Sequence, residues 1–241
     1  MTTMLPREPL PKFQGDNLDL TRPYICGSLG TLKQKSKLNF CKENSMKKLA
    51  ILILFFVLVI NISFASDIKG KVKAKGTKHS GGAVVYIDEI SQAKFDPPKN
   101  HVTMDQKNLV FNPHVLPIIV GTTVDFMNSD DVLHNVFSPD GCAEKFNLGT
   151  WPKGQSRSYT FKNQGCTPVL LCNVHPEMEA YVVTLQNPYF AVSEKDGSYT
   201  IKNVPAGKYT LKIWHEKLKG SSQEVTVPES GDVEMNFEIK K

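Results

Sequence analysis

From Ser66 onward the chain holds no long apolar repeat of 3.6 residues, but breaks into short apolar or alternating runs divided by Gly, Pro, Asn and Asp. Residues 68–72, 83–87, 109–111, 118–126, 158–161 and 169–172 are such runs. Strands this short cannot bury an apolar face alone, so they must pair at their edges and stack at their faces. The prediction is an all-β chain, a sandwich or a barrel. A length of 241 residues leaves room for one or two such domains.

The first 65 residues read differently. Met46-Lys47-Lys48 makes a short basic end, 49–62 is apolar apart from Asn61, and Ser63-Phe64-Ala65 places small residues around a cleavage point. That pattern predicts a secretory signal peptide over 46–65. The apolar run falls short of the roughly 20 residues a membrane span needs, and no Cys directly follows Ala65 to carry a lipid. The mature protein is therefore expected to start near Ser66, exported or periplasmic, with no stable membrane span once the signal is cleaved. Residues 1–45 read as an upstream extension outside the mature sequence; a cytosolic tail before a membrane anchor is the competing reading. Lys and Arg total 29 against 24 Asp and Glu, but 1–65 holds 9 basic and 4 acidic residues, so 66–241 is formally neutral. A nucleic-acid partner loses its electrostatic basis.

Export changes the meaning of the cysteines. Cys26 and Cys41 leave with the prefix, and Cys142, Cys166 and Cys172 remain. An oxidising compartment pairs two and leaves one. A use for the odd thiol lies in Leu171-Cys172-Asn173-Val174-His175-Pro176-Glu177-Met178. Cys, His and Met at three-residue intervals, in a loop after an apolar strand, can turn a thiolate, an imidazole and a thioether toward one ion. Two His, one Cys and a weak axial Met make the blue-copper donor set. The second imidazole should come from another strand, and His134, read as the end of one, is the candidate. With Cys172 so used, Cys142 and Cys166 are left to form a disulfide. Taken singly, each residue has a plainer reading: Cys172 and Met178 as core, His134 as a turn residue. Zinc is the chemical competitor, but has no use for a thioether. Glu177 is an alternative axial donor, through oxygen.

These residues resemble the cupredoxins. Leu109-Val110-Phe111 with Pro113, Ile119-Val120-Gly121-Thr122-Thr123-Val124-Asp125-Phe126, Asn128, Asp130, His134-Asn135 and Cys172-x2-His175-x2-Met178 carry the likeness, whose loop spacing is most similar to amicyanin. It covers roughly 102–186. The resemblance implies a Greek-key sandwich holding one copper ion, cycling between Cu(I) and Cu(II), on His134, Cys172, His175 and Met178. It also implies that Asn135 ties the ligand loops together and that the His175 edge passes single electrons. The expected partner is a redox protein such as a c-type cytochrome or a periplasmic dehydrogenase. No substrate turnover is expected.

The rest of the mature chain has its own pattern. Turn, strand, Pro-x-Gly turn and strand run from Glu194 to Leu211, resembling the carboxypeptidase regulatory-like, or transthyretin-like, sandwich. The opening of that family, Ile68-Lys69-Gly70-Lys71-Val72 and then Gly82 to Ile87, lies before the copper motif. Segments 66–95 and 187–241 are therefore expected to form one sandwich, with 96–186 inserted in a loop. In Trp214-His215-Glu216 the Trp reads as core and the His as solvated; His79, His101 and His114 read as surface or loop residues. Two other functions compete: an envelope binding or adhesion module with a structural or vestigial copper site, and a copper storage or delivery protein. The seven Met do not cluster as storage would favour.

Overall fold

The computed structural model describes residues 65–241, which belong to one compact unit. The 1–45 extension, Cys26, Cys41 and the signal segment up to Phe64 lie outside the described residues. Two strands open the fold, β1 (Ala65–Ala74) and β2 (Val84–Ile87). Nine more run through the middle of the chain: β3 (Val102–Lys107), β4 (Val110–Asn112), β5 (Val115–Ile119), β6 (Thr123–Asn128), β7 (His134–Ser138), β8 (Phe146–Trp151), β9 (Ser156–Thr160), β10 (Val169–Leu171) and β11 (Glu179–Leu185). Six complete it: β12 (Phe190–Val192), β13 (Ser198–Pro205), β14 (Gly207–Trp214), β15 (Ser221–Val227), β16 (Val233–Glu234) and β17 (Phe237–Ile239). The fold is all-β; a three-residue 3-10 turn at Gly141–Ala143 is the helical element among the described residues.

Four sheets result. β13-β1-β16, with β17 also on β1, and β12-β2-β14-β15 enclose one apolar core, built from residues such as Ile68, Val72, Ile87, Ile201, Leu211 and Phe237. β5-β11-β10-β7-β8 and β4-β3-β6-β9 enclose another around Met104, Phe126, Trp151, Phe161 and Leu170. Period-two alternation drives this stacking: Ile68 and Val72 point inward from β1 while Lys69, Lys71 and Lys73 stay in water. β1 and β2 precede the second core yet pair with β13 and with β12 and β14, which come after it in the chain.

β11 is buried along both faces from Val182 to Leu185. One face fills the second core. The other brings Val183 and Leu185 against Val84 and Val115, with Tyr86, Phe190, Val192 and Trp214 around them. The Tyr181 and Trp214 rings meet at 5.4 Å, and His114 Nε2 lies 3.1 Å from Glu216 Oε2.

The structure alters several sequence expectations. The run 118–126 is two strands in opposite sheets, because Gly121 takes φ 87° and lets the chain cross between layers. His134 begins its strand rather than ending it. His215 is 7% exposed rather than solvated, while Leu211 and Ile213 of β14 face the first core, so alternation turns the partly buried Trp214 to the other face, onto the apolar cluster around β11. Cys142 and Cys166 form the expected disulfide, joining the turn after β7 to the segment before β10. Closing that loop stabilises by about 3 kcal/mol.

Gly70 marks the tightest approach in the first core. A Cβ there would overlap the Met235 carbonyl, in the segment that passes from β16 to β17 beside β1. Gly70→Ala should lower unfolding free energy by about 1–3 kcal/mol. Denaturant unfolding measures this; an unchanged midpoint would place the close approach elsewhere.

Candidate metal centre

β7 and β10 are antiparallel neighbours, with Leu171 opposite Phe137. β7 starts at His134 and Cys172 comes directly after the last residue of β10, so pairing delivers an imidazole and a thiol to one end of the sheet. The loop after β10 then brings back His175. His134 Nδ1 lies 3.1 Å from His175 Nδ1, and Cys172 Sγ lies 3.9 Å from His175 Nδ1. His134 and Cys172 are buried, at 0% and 2% exposure, while His175 is half-buried. Their three donor atoms all lie within 4.8 Å of one another. Met178 is 1% exposed in the same apolar cluster as Cys172, and its N–H donates to the His175 carbonyl. Glu177, the alternative donor, is exposed.

Asn135 holds this arrangement from beneath. Its backbone N–H donates to Cys172 Sγ at 3.4 Å, and its Oδ1 accepts from the Asn173 N–H at 3.2 Å. Its Nδ2 donates to Asn147 Oδ1 and to the Gly149 carbonyl. One buried side chain thus ties the Cys172 loop to β7 and β8.

A contributor that sequence reasoning gave no role is Asp130. Its Oδ2 lies 2.9 Å from His134 Nε2, and its two oxygens accept the N–H groups of Asn108 and Leu109. Desolvation pushes this carboxyl up, but the hydrogen bonds from Leu109, His134 and Asn108 outweigh it and hold it down at about 2. An ionised carboxylate on Nε2 keeps the proton there and leaves Nδ1 of His134 as a lone pair aimed into the cluster. A nitrogen lone pair 3.1 Å from a second Nδ1 and close to a buried sulfur suits a shared soft or borderline cation. Asn128 organises the approach, donating to the Val132 and Trp151 carbonyls and accepting from the Asp130 N–H. The available signal was a carboxylate four residues before the His in a turn, which acquires meaning only when the turn closes.

Of the other histidines, His101 pairs with Asp125 and His114 with Glu216, both as exposed side chains. His114, Glu179 and Glu216 form a second group of donor atoms within 4.8 Å, but Glu216 is already engaged by His114 and Lys217. Leu109, Val132, Leu133 and Val174, on loops, and Val110, at the start of β4, are exposed apolar side chains.

Asn135→Ala would leave the Asn173 N–H and the Gly149 carbonyl without this partner. In metal-free protein it should cost about 1–3 kcal/mol of unfolding free energy, the usual consequence of orphaning buried polar groups. Equal stability to the parent by urea unfolding would show that the crosslink does not hold the loops.

Comparison with known proteins matches the family Polysaccharide lyase family 4, domain II, over residues 171–234. That is not the transthyretin-like family the sequence resembled, and it begins at Leu171, the last residue of β10. No curated protein matches the chain. Among solved structures, a copper-containing nitrite reductase from Thermus scotoductus SA-01 is 26% identical at TM-score 0.35, covering 42% of this chain and 25% of that one. The match thus spans a quarter of the nitrite reductase. A reduced Trp-to-Tyr mutant of amicyanin is 26% identical at TM-score 0.34, covering 42% and 97%. A purple cupredoxin from Nitrosopumilus maritimus is 26% identical at TM-score 0.31, covering 34% and 98%. At such TM-scores these likenesses carry no functional weight beside the geometry of the cluster itself.

Proposed function

We propose that this chain is an exported carrier of single electrons, in which His134, Cys172 and His175 hold one copper ion and Met178 is a weaker fourth donor. The observation behind this reading is the convergence of two Nδ1 atoms and a buried thiol, with a buried Met in the same cluster and no carboxylate among the converging donors. When bound, copper supplies a one-electron Cu(I)/Cu(II) couple. Cys172 binds as thiolate, and the Asn135 N–H steadies the charge on its sulfur. Asp130 keeps His134 in the tautomer that presents Nδ1. A framework held by β7, β10 and these hydrogen bonds changes little between oxidation states.

The half-buried His175 and the exposed apolar residues Leu109, Val110, Val132, Leu133 and Val174 support a contact face for a redox protein, such as a c-type cytochrome or a periplasmic dehydrogenase. Because 66–241 is formally neutral, that encounter depends on local shape and apolar contact more than on long-range steering. The strands before β3 and after β11 are read as one sandwich into which the copper-binding part, 96–186, is inserted. This reading assigns no substrate turnover. Zinc would leave the buried Met178 without a role, and copper delivery would favour a more exposed donor set than His134 and Cys172 provide.

Copper loading should produce an intense visible charge-transfer band that Cys172→Ala abolishes; a colourless copper complex of the parent would contradict the assignment. Met178→Leu should keep the band and raise the reduction potential, because losing an electron-donating thioether favours the reduced ion. Glu177→Gln should change neither. The reverse pattern, with Glu177→Gln altering the spectrum and Met178→Leu silent, would make Glu177 the axial donor.

A further inference from the structure

A cleft of about 510 Å³ opens on the first sandwich, lined among others by Thr77, Lys78, His79, His215, Lys217 and Lys241. Its two imidazoles are built in the same way. His79 Nδ1 accepts the N–H of Gly81 at 3.2 Å, and His215 Nδ1 accepts the N–H of Lys217 at 3.0 Å. A ring nitrogen that accepts from a backbone N–H carries no proton, so each neutral ring must carry it on Nε2. Among the described residues no protein group takes up either Nε2–H. His215 is 7% exposed and still borders the cleft, so its free donor is fixed by the fold rather than scattered on the surface. Burial, the larger influence, holds this imidazole below its usual range against the opposing pull of Glu216, in keeping with the neutral ring that the Lys217 N–H requires.

Lys78, Lys217 and Lys241 outnumber Glu216, the acidic side chain among the residues lining the cleft. Glu216, the acid lining the cleft, is occupied by His114 at 3.1 Å and by Lys217 at 3.0 Å. Lys78 has no carboxylate partner among the described residues. A ring with its proton on Nε2 and its other nitrogen engaged is a poor metal ligand but a good donor to oxygen, which favours an oxyanion over a cation.

We propose that this cleft binds an oxyanion, a carboxylate or phosphate group, through the Nε2–H groups of His79 and His215, with Lys78 supplying the charge. The site shares no lining residue with the His134, Cys172 and His175 cluster and does not depend on whether copper binds there.

The test monitors the imidazole resonances of the exported protein by NMR at constant ionic strength. The probes are inorganic phosphate, a uronic acid monosaccharide and the corresponding neutral sugar. Saturable shifts of both His79 and His215 with an anion, absent with the neutral sugar and with chloride, are expected. Response to phosphate alone, to the uronate alone or to both identifies which source the cleft accepts. His79→Ala combined with Lys78→Ala changes two exposed residues and should leave metal-free thermal stability unchanged while weakening anion binding at least about tenfold. No saturable shift with either anion, a response no different from chloride, or full affinity in the double variant would overturn the proposal.

Discussion

Order at the candidate metal centre depends on the hydrogen bonding that locks the Cys172 loop to β7. The pairing of β7 with β10 sets where His134 and Cys172 emerge, and Asn135 fixes the start of the loop through its N–H to the sulfur and its Oδ1 to Asn173. Without these ties, the loop carrying His175 and Met178 would have to offset its own ordering entropy, at roughly 1–2 kcal/mol per residue. With them, the loop is held by groups that would be costly to leave unpaired in a buried place. The disulfide between Cys142 and Cys166 adds a covalent constraint at the opposite ends of the same two strands, joining the turn after β7 to the segment before β10. Asp130 extends the ordering outward, linking His134 to the β3–β4 turn through two backbone N–H groups.

What could be read from the sequence was whatever is encoded within a short stretch. The all-β class came from alternation and turn residues, and the Cys172, His175 and Met178 spacing lies inside one loop. The strands at β3 and β8 were not legible, because Thr, Asp, Gln, Asn and Gly interrupt their apolar pattern. The division of 118–126 was hidden because Gly121 looks like any glycine until the two halves are seen in opposite sheets. Asp130 was invisible as a partner of His134, since only the folded turn brings its oxygen to Nε2. The burial of His215 and the face taken by Trp214 have a similar cause. Period two places Trp214 on the outer face of β14, and that face is apolar territory only because β11's sheet covers it.

The contact between the two cores also bears on how the centre behaves. β11 begins directly after Met178 and, further along, from Val182 to Leu185, is buried on two faces between both cores. Apolar side chains from β2, β5, β11, β12 and β14 meet there, with the Tyr181 and Trp214 rings at one margin. A strand buried on both sides has few ways to shift, which favours a donor set of fixed geometry. The first sandwich thereby supports the second beyond simply being joined to it in sequence.

The central claim is that one copper ion is bound by two imidazole nitrogens and the Cys172 sulfur. Sulfur and copper-edge X-ray absorption of the copper-loaded parent protein, read with electron paramagnetic resonance of the oxidised form, tests it most directly. The account predicts one ion per chain, a short copper–sulfur bond, two nitrogen neighbours and the narrow copper hyperfine splitting of a strongly covalent thiolate site. A copper centre surrounded by nitrogen and oxygen alone, with wide hyperfine splitting and no sulfur neighbour, would contradict it.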